Sequence, residues 1–316
     1  MIENLFLSES RKGLAAWAAP LVVASFVLAT ASTAGAQQTF KTADEAMTAL
    51  VTAAKKGDRK AVLAVLGPGG ADIVSSGDAV ADSEDRDKAL AAYDDKHQIK
   101  MDGDSKATVI IGKDDFPFPI PLVRKGDTWQ FDTAAGREEI LARRIGRNEL
   151  SAIQASLAYV DAQNEYAEKD RGAGVGVYAQ RIMSSPGKKD GLYWPSAQGE
   201  EQSPLGELVA QATAQGYRAG SGRIPFHGYY YKILTQQGPA ASGGELDYEV
   251  RGKMIGGFAL IAYPAQYGNS GVMTFIVNHK GTVYEKDLGP DTAKLAARIT
   301  WFNPDKTWKK TEVSPQ

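Results

Sequence analysis

Cysteine is missing from all 316 residues. That excludes disulfides, thiolate metal sites and cysteine nucleophiles. Histidine is scarce as well: His97, His227 and His279 are the only three, far apart in the chain. An imidazole metal centre would need them to converge with carboxylates, and nothing in their spacing brings them together. Charge of one sign is also lacking. Thirty-six Lys and Arg stand against 38 Asp and Glu, a formal net charge of −2. With no basic block, a nucleic-acid partner has no electrostatic support. The G-x-S-x-G elbow and the Walker pattern are absent. Ser270 stands between Asn269 and Gly271, which reads as a turn. A Ser-His-Asp group is recognised by geometry rather than spacing, and nothing here points to one. No cofactor and no metal is expected.

What is present begins with an export pattern. Arg11 and Lys12 precede an apolar run from Leu14 to Ala29, and Ala34 and Ala36 take the −3 and −1 positions of a cut before Gln37. This is the positive, apolar, small-residue order of a secretory signal. Pro20 interrupts the run, which is short for a membrane anchor. The expectation is a signal peptide over residues 1–36 and a mature chain starting at Gln37. That chain is periplasmic or secreted, with no membrane span after cleavage. Losing Glu3, Glu9, Arg11 and Lys12 leaves its charge at −2.

The mature chain reads as two α+β parts. Thr42 and Glu45 form a capping-box pattern ahead of an apolar face at Ala46, Leu50, Ala53 and Ala54. Two more short helices follow, over "RKAVLAVLG" and "DSEDRDKALAAYDDKH", with His97 closing the latter. Strands come next: "KATVIIG", the segment "FPFPIPLVRKG" and "TWQFD". Pro117, Pro119 and Pro121 cannot donate to a ladder, so one edge of the middle segment stays unpaired. Helices first and a sheet afterwards suggest an N-terminal α+β domain over 37–145. Gly146 interrupts the helical pattern, and a second domain is expected over 146–316. It opens with a long helix striped by Leu150, Ile153, Leu157, Val160 and Ala167. An irregular stretch runs to about Phe226. The strands "YYYKIL", "FALIAY", "VMTFIV" and "TVYEK" follow, and then a helix near Pro290.

After the long helix comes "DRGAGVGVYAQ", with Gly172, Gly174 and Gly176 at alternate positions. A dinucleotide fingerprint needs strand, glycine loop and helix in that order. Here the glycines follow a helix, and their spacing is wrong. A calcium loop needs side-chain oxygens at its third and fifth positions, which Gly172 and Gly174 lack when Asp170 is the first. The segment reads as a flexible helix exit.

Aromatic residues gather in "GLYWP", "FHGYYY" and "AYPAQYG". Two readings stand side by side: platforms for a sugar or a peptide, or rings covering one side of a core. The binding candidates are Tyr193, Trp194, Tyr229 and Tyr267.

At "GLYWP", "HGYYYKILTQQGPAASGG" and "GGFALIAYPAQYGNSGVMTFIVNHKGTVYEKDLGP" the chain resembles the secreted bacterial family catalogued as domain of unknown function 2950. The resemblance spans nearly all of the mature chain and implies no established activity. The first half is also similar to a cystatin-like cone, with helices on a curved sheet. The second half is similar to a pilin-like head, a long helix plus an antiparallel meander. Both are analogies of fold and do not establish function. The functional expectation is a non-enzymatic envelope protein that binds or scaffolds an envelope glycan or protein. The alternative is a hydrolase or sugar-acting enzyme using a carboxylate such as Asp247 or Glu249.

Overall fold

The computed structural model describes residues 36–217 and 224–312. The expected export signal lies outside them except for Ala36. The described residues belong to one compact unit, Gly35–Gln316. Four helices open it: α1 (Ala43–Lys55), α2 (Arg59–Leu66), α3 (Gly70–Val74) and α4 (Ala79–Asp95). The start of α1 follows its capping residues. Thr42 Oγ1 accepts from the Glu45 amide at 3.1 Å, and Glu45 reaches back to the Lys41 amide at 2.9 Å, so two N–H groups at the helix start are satisfied.

Five strands follow: β1 (His97–Asp102), β2 (Lys106–Ile111), β3 (Phe116–Pro117), β4 (Leu122–Lys125) and β5 (Thr128–Phe131). They form an antiparallel sheet in the order β1-β2-β4-β5, with β3 on β2. Two expectations change here. His97 opens β1 rather than closing a helix, because Lys96 already has an extended backbone. The proline segment is two strands and not one. Pro119 and Pro121 occupy the gap between β3 and β4, where no amide is needed for a ladder. Helices α1, α2 and α4 pack on this sheet and close a first core around Leu50, Leu66, Val109, Leu122 and Phe131.

Helix α5 (Thr133–Ala167) runs for 35 residues. Its N-cap is Asp132, which accepts from the Ala135 amide at 3.2 Å. The expected helix start near Asn148 is therefore too late, and Gly146 does not break it. Gly146 is exposed, with open space where a Cβ would stand. One such glycine costs about 1 kcal/mol against alanine, which the buried length of α5 outweighs. The boundary expected between residues 145 and 146 falls inside this helix. The apolar stripe is also rotated. Leu150 is 51% exposed, whereas Ala152, Tyr159, Gln163 and Tyr166 are buried with Ile153 and Val160.

The stretch expected to be irregular contains α6 (Gly206–Ala214). Beyond it lie β6 (Tyr229–Leu234), β7 (Gln236–Gln237), β8 (Leu246–Asp247), β9 (Glu249–Val250), β10 (Lys253–Met254), β11 (Ala259–Pro264), β12 (Met273–Asn278), β13 (Val283–Asp287), α7 (Thr292–Arg298) and β14 (Lys309–Lys310). The order β14-β13-β12-β11-β6 is antiparallel and holds the four expected strands with β14 added at the edge, and β7–β8 and β9–β10 form two small ladders. Helix α5 packs on β11, β12 and β13, and α7 packs on β11. The second core gathers Tyr159, Leu192, Tyr229, Phe258, Ile261 and Phe275. The architecture is mixed α+β.

Buried polar groups join the two cores. Arg144 of α5 donates to Asp72 O at 2.8 Å, Ile73 O at 2.7 Å and Asn269 Oδ1 at 2.5 Å. Asp78, 1% exposed, accepts from the Tyr217 hydroxyl at 2.8 Å and the Gly228 amide at 3.0 Å. These bonds tie the α3–α4 region to the loops of the second sheet.

Candidate functional site

The glycine loop is the natural starting point. Gly172, Gly174 and Gly176 all have positive φ, at 97°, 110° and 81°, a conformation that costs glycine little. Their fold turns the loop back on α5, with the Gly176 amide donating to Ala167 O at 2.8 Å. Asp170 Oδ1 accepts from the amides of Gly172 and Gly174, both at 2.8 Å. These two amides, Gly174 first, hold the Asp170 carboxyl below its ordinary range. The loop thus spends its anion-binding amides on its own carboxylate. A phosphate would have to displace Asp170 to use them.

The loop forms one wall of a cleft of about 490 Å³. Five cationic residues line it, Arg171, Arg181, Lys188, Lys189 and Lys253, against one acid, Asp190. Three pieces of chain present them. The first is the glycine loop. The second is the 181–194 segment, held by the Leu192 amide on Arg181 O at 3.1 Å and the Tyr193 amide on Ile182 O at 2.8 Å. Gly191 permits that approach, because a Cβ there would meet the Met183 carbonyl carbon at 2.7 Å. The third is β10, where Lys253 Nζ donates to Ala173 O at 2.7 Å. Asp190 is committed within its own segment. Its oxygens accept from the Ser185 amide at 2.7 Å and the Ser185 hydroxyl at 2.8 Å, and the amide leads in lowering its carboxyl pKa.

Arg171 anchors the back of the cleft. Its side chain is 2% exposed. One terminal nitrogen donates to Tyr166 O, and the other meets Glu201 at 3.0 Å. The guanidinium lies 4.9 Å from the Tyr166 ring centre and 5.5 Å from that of Trp194, within cation–π range. Its buried Nε has no partner among the described residues. Glu201 is shared by three cations, with Lys169 at 3.3 Å and Lys189 at 2.8 Å beside Arg171. The hydrogen bond from Lys189 leads in holding the Glu201 carboxyl down to about 2. One carboxylate among three cations leaves the cluster positive.

The aromatic candidates fall outside the cleft lining. Trp194 is 5% exposed and Tyr229 is fully buried, which favours the core reading of these two rings over the platform reading. Trp194 stands behind the cleft, with its indole nitrogen donating to Glu201 O at 3.2 Å and Lys189 Nζ 5.2 Å from its ring. Tyr229 donates to Met273 O at 2.9 Å. Tyr193 is half-buried, and Tyr267 is half-buried with its hydroxyl 3.2 Å from Asp287 Oδ2. Pro and Gly neighbours mark turns, and these turns are packed over the core rather than held out into solvent.

The residues that do line the cleft carried a weaker signal. Arg171 flanks the glycines and Lys188–Lys189–Asp190 forms a short polar run, but Lys253 lies about 80 residues further on, so no spacing links the three. The histidines do not meet. His97 stacks on Tyr93 at 3.9 Å, His227 lies against Phe226 at 4.2 Å, and His279 lies against Tyr248 at 5.6 Å. Burial lowers the pKa of His227 and of His279. No group of three or more His, Asp or Glu placed to hold a metal occurs among the described residues. Ser270 is buried, and its hydroxyl accepts from the Gln266 amide at 2.9 Å inside the turn. Asp247 and Glu249 are exposed, and Asp247 accepts from the Glu249 amide at 3.1 Å.

Comparison with curated proteins and with solved structures gave no match. The family model described as "Protein of unknown function (DUF2950)" matches residues 37–311, most of the chain and every residue of the cleft, and the chain belongs to that family.

Proposed function

We propose that this is an exported, non-enzymatic protein of the cell envelope, and that its basic cleft binds an acidic group of an envelope glycan. The observation that carries this reading is Arg171: a guanidinium 2% exposed, with a free Nε among the described residues, in a cleft lined by four further cations. A buried donor without a partner is costly, and a carboxylate or phosphate oxygen would satisfy it. Lys188 and Lys253 stand at the same cleft to neutralise a second charge. Export rests on the Arg11–Lys12, apolar and Ala34–Gly35–Ala36 pattern. It is consistent with Gln37, the first residue after the predicted cut. The Gln37 side chain donates to Phe131 O at 2.9 Å and accepts from Gln130 at 3.1 Å, so the folded chain can begin there. Among the described residues no helix is long and apolar enough to cross a membrane. The 35-residue α5 laid across an antiparallel meander supports the pilin-head-like reading of the second half. Helices packed on the first sheet support the cone-like reading of the first.

The test is retention of the mature protein on isolated cell-wall material, with and without salt. Retention should fall as salt rises, since exposed charges are screened. Lys188→Glu with Lys253→Glu should abolish retention without moving the melting temperature. Salt-independent retention that survives both charge reversals would overturn the assignment of the cleft.

A further inference from the structure

A second cavity lies in the same half of the molecule and has the opposite chemistry. It measures about 260 Å³. Ala155 and Tyr159 of α5 and Leu260 of β11 line one side, and Leu208, Val209 and Ala212 of α6 line another. Among the described residues, no Lys, Arg, Asp, Glu or His lines it. Helix α6 shows what the space does to its surroundings. Its Leu208, Val209 and Ala212 line the cavity, yet none of its nine residues is buried. An amphipathic helix normally buries its apolar face against the core. Here Leu208, Val209 and Ala212 are only half-covered, because the volume beneath them is unfilled.

Among the described lining residues, the side-chain N and O atoms are matched with one exception. Tyr159 Oη accepts from Gln163 at 3.0 Å, Tyr217 donates to Asp78 at 2.8 Å, and Thr213 donates to Val209 O at 2.7 Å. Tyr231 lines the cavity as well, and its hydroxyl is buried with no partner among the described residues. A phenol hydroxyl brought out of water in this way calls for a partner. An apolar cavity of about 150 Å³ accepts a molecule of benzene size. On that scale this one takes about ten carbon atoms.

We propose that this cavity binds a small neutral molecule, an apolar chain or ring of about ten carbons, whose single hydroxyl or carbonyl oxygen pairs with Tyr231. A carboxylate headgroup finds no cation among the described lining residues, and a buried charge needs a partner. The site is independent of the basic cleft.

The experiment is calorimetry of the mature protein with 1-alkanols from hexanol to dodecanol. Affinity should tighten about fourfold per methylene and stop improving near decanol. Tyr231→Phe, which keeps the ring, should weaken 1-decanol about threefold to tenfold. Val209→Trp should abolish binding by filling the space, with Ala212→Trp as a second filling variant should the first fail to fold. Lys253→Glu should leave 1-decanol untouched while weakening any binding of decanoate, which separates this site from the cleft. Absence of 1-decanol binding, undiminished binding in a folded filled variant, or no dependence on chain length would overturn the site. Unchanged affinity in Tyr231→Phe would overturn the pairing with the hydroxyl.

Discussion

The two sheets are built from the same number of strands, five in each, yet they are covered differently. In the first, β2 alternates, with Ala107, Val109 and Ile111 buried and the residues between them less so, and β1 is almost wholly exposed. That is an antiparallel sheet with one face on a core and one toward solvent. In the second, every residue of β11 and all but one of β12 are buried, so cover lies on both faces. The difference shows in what each core can tolerate. The second core takes in polar aromatic rings, each needing a partner: Tyr229 finds Met273 O at 2.9 Å, and Tyr248 finds Gln237 Oε1 at 2.7 Å. Burial raises the Tyr248 phenol to about 12. Both cavities lie in this half, where a long helix, a sheet and a folded-back loop meet around large side chains that cannot fill every gap.

The sharpest break of the comparison is a pair of truncations. Tyr229→Ala removes a fully buried ring and should cost about 3–5 kcal/mol. Met101→Ala on β1, where the side chain is 49% exposed, should stay within about 0.5 kcal/mol. Denaturant unfolding of both variants checks this. Similar losses would mean that the exposed face of the first sheet is covered in solution.

Next in size is the join between the cores. Arg144→Ala strips donors from two carbonyls and from Asn269, and burial already lowers the pKa of this guanidinium. Orphaned buried acceptors cost about 1–3 kcal/mol each, and they act as one network, so a total of about 2–4 kcal/mol is expected. A double-mutant cycle with Asn269→Ala should show coupling. Additive losses would mean that the two cores are held together elsewhere. The same result bears on the division at residues 145 and 146, which would cut α5 one residue past Arg144.

Much of this is legible in the sequence, and the reasons are local. The Thr42–Glu45 cap, the NHKG turn between β12 and β13 and the meander strands are fixed by neighbours in sequence. Gly146 misled because helix propensity is a weak prior beside the packing of 35 residues. The aromatic clusters left two readings open, and packing decides between them at Trp194 and Tyr229. A turn beside proline or glycine predicts exposure of the backbone, but the turn at Trp194 folds onto the core. The cleft was illegible because its cations come from three segments joined only in space. The apolar cavity was illegible because α6 carries an ordinary apolar pattern, and only the packing shows that its face is uncovered.

A smaller effect should appear in acid. Glu201 has its carboxyl pKa depressed to about 2, from an ordinary value of 4.5. A group with a depressed folded pKa stabilises above its unfolded value and loses that contribution as pH falls through the folded one. The clamp on Lys169, Arg171 and Lys189 should therefore be intact above about pH 4.5 and released by about pH 2. Glu201→Gln should flatten the acid limb of the melting curve in this window. An unchanged acid limb would show that the three cations do not depend on this carboxylate.

The smallest expected effect belongs to Tyr267, set against the core ring of Trp194. Trp194 is 5% exposed and donates to Glu201 O at 3.2 Å, so Trp194→Ala should lower the melting temperature and loosen Lys189 as well. Tyr267 is half-buried and makes one exposed hydrogen bond, to Asp287 at 3.2 Å. Its phenol pKa is raised, by desolvation first and then by Asp287. Tyr267→Ala should change stability by less than about 1 kcal/mol. Tyr193 packs against the second core and Tyr267 does not, so the loss of the Tyr267 ring can be read for binding. If Tyr267→Ala leaves the melt unchanged yet weakens retention on cell-wall material, the Tyr267 turn is a second contact, apart from the basic cleft. If retention is unchanged, the working surface is confined to the cleft, and the aromatic clusters of the second half serve only its core.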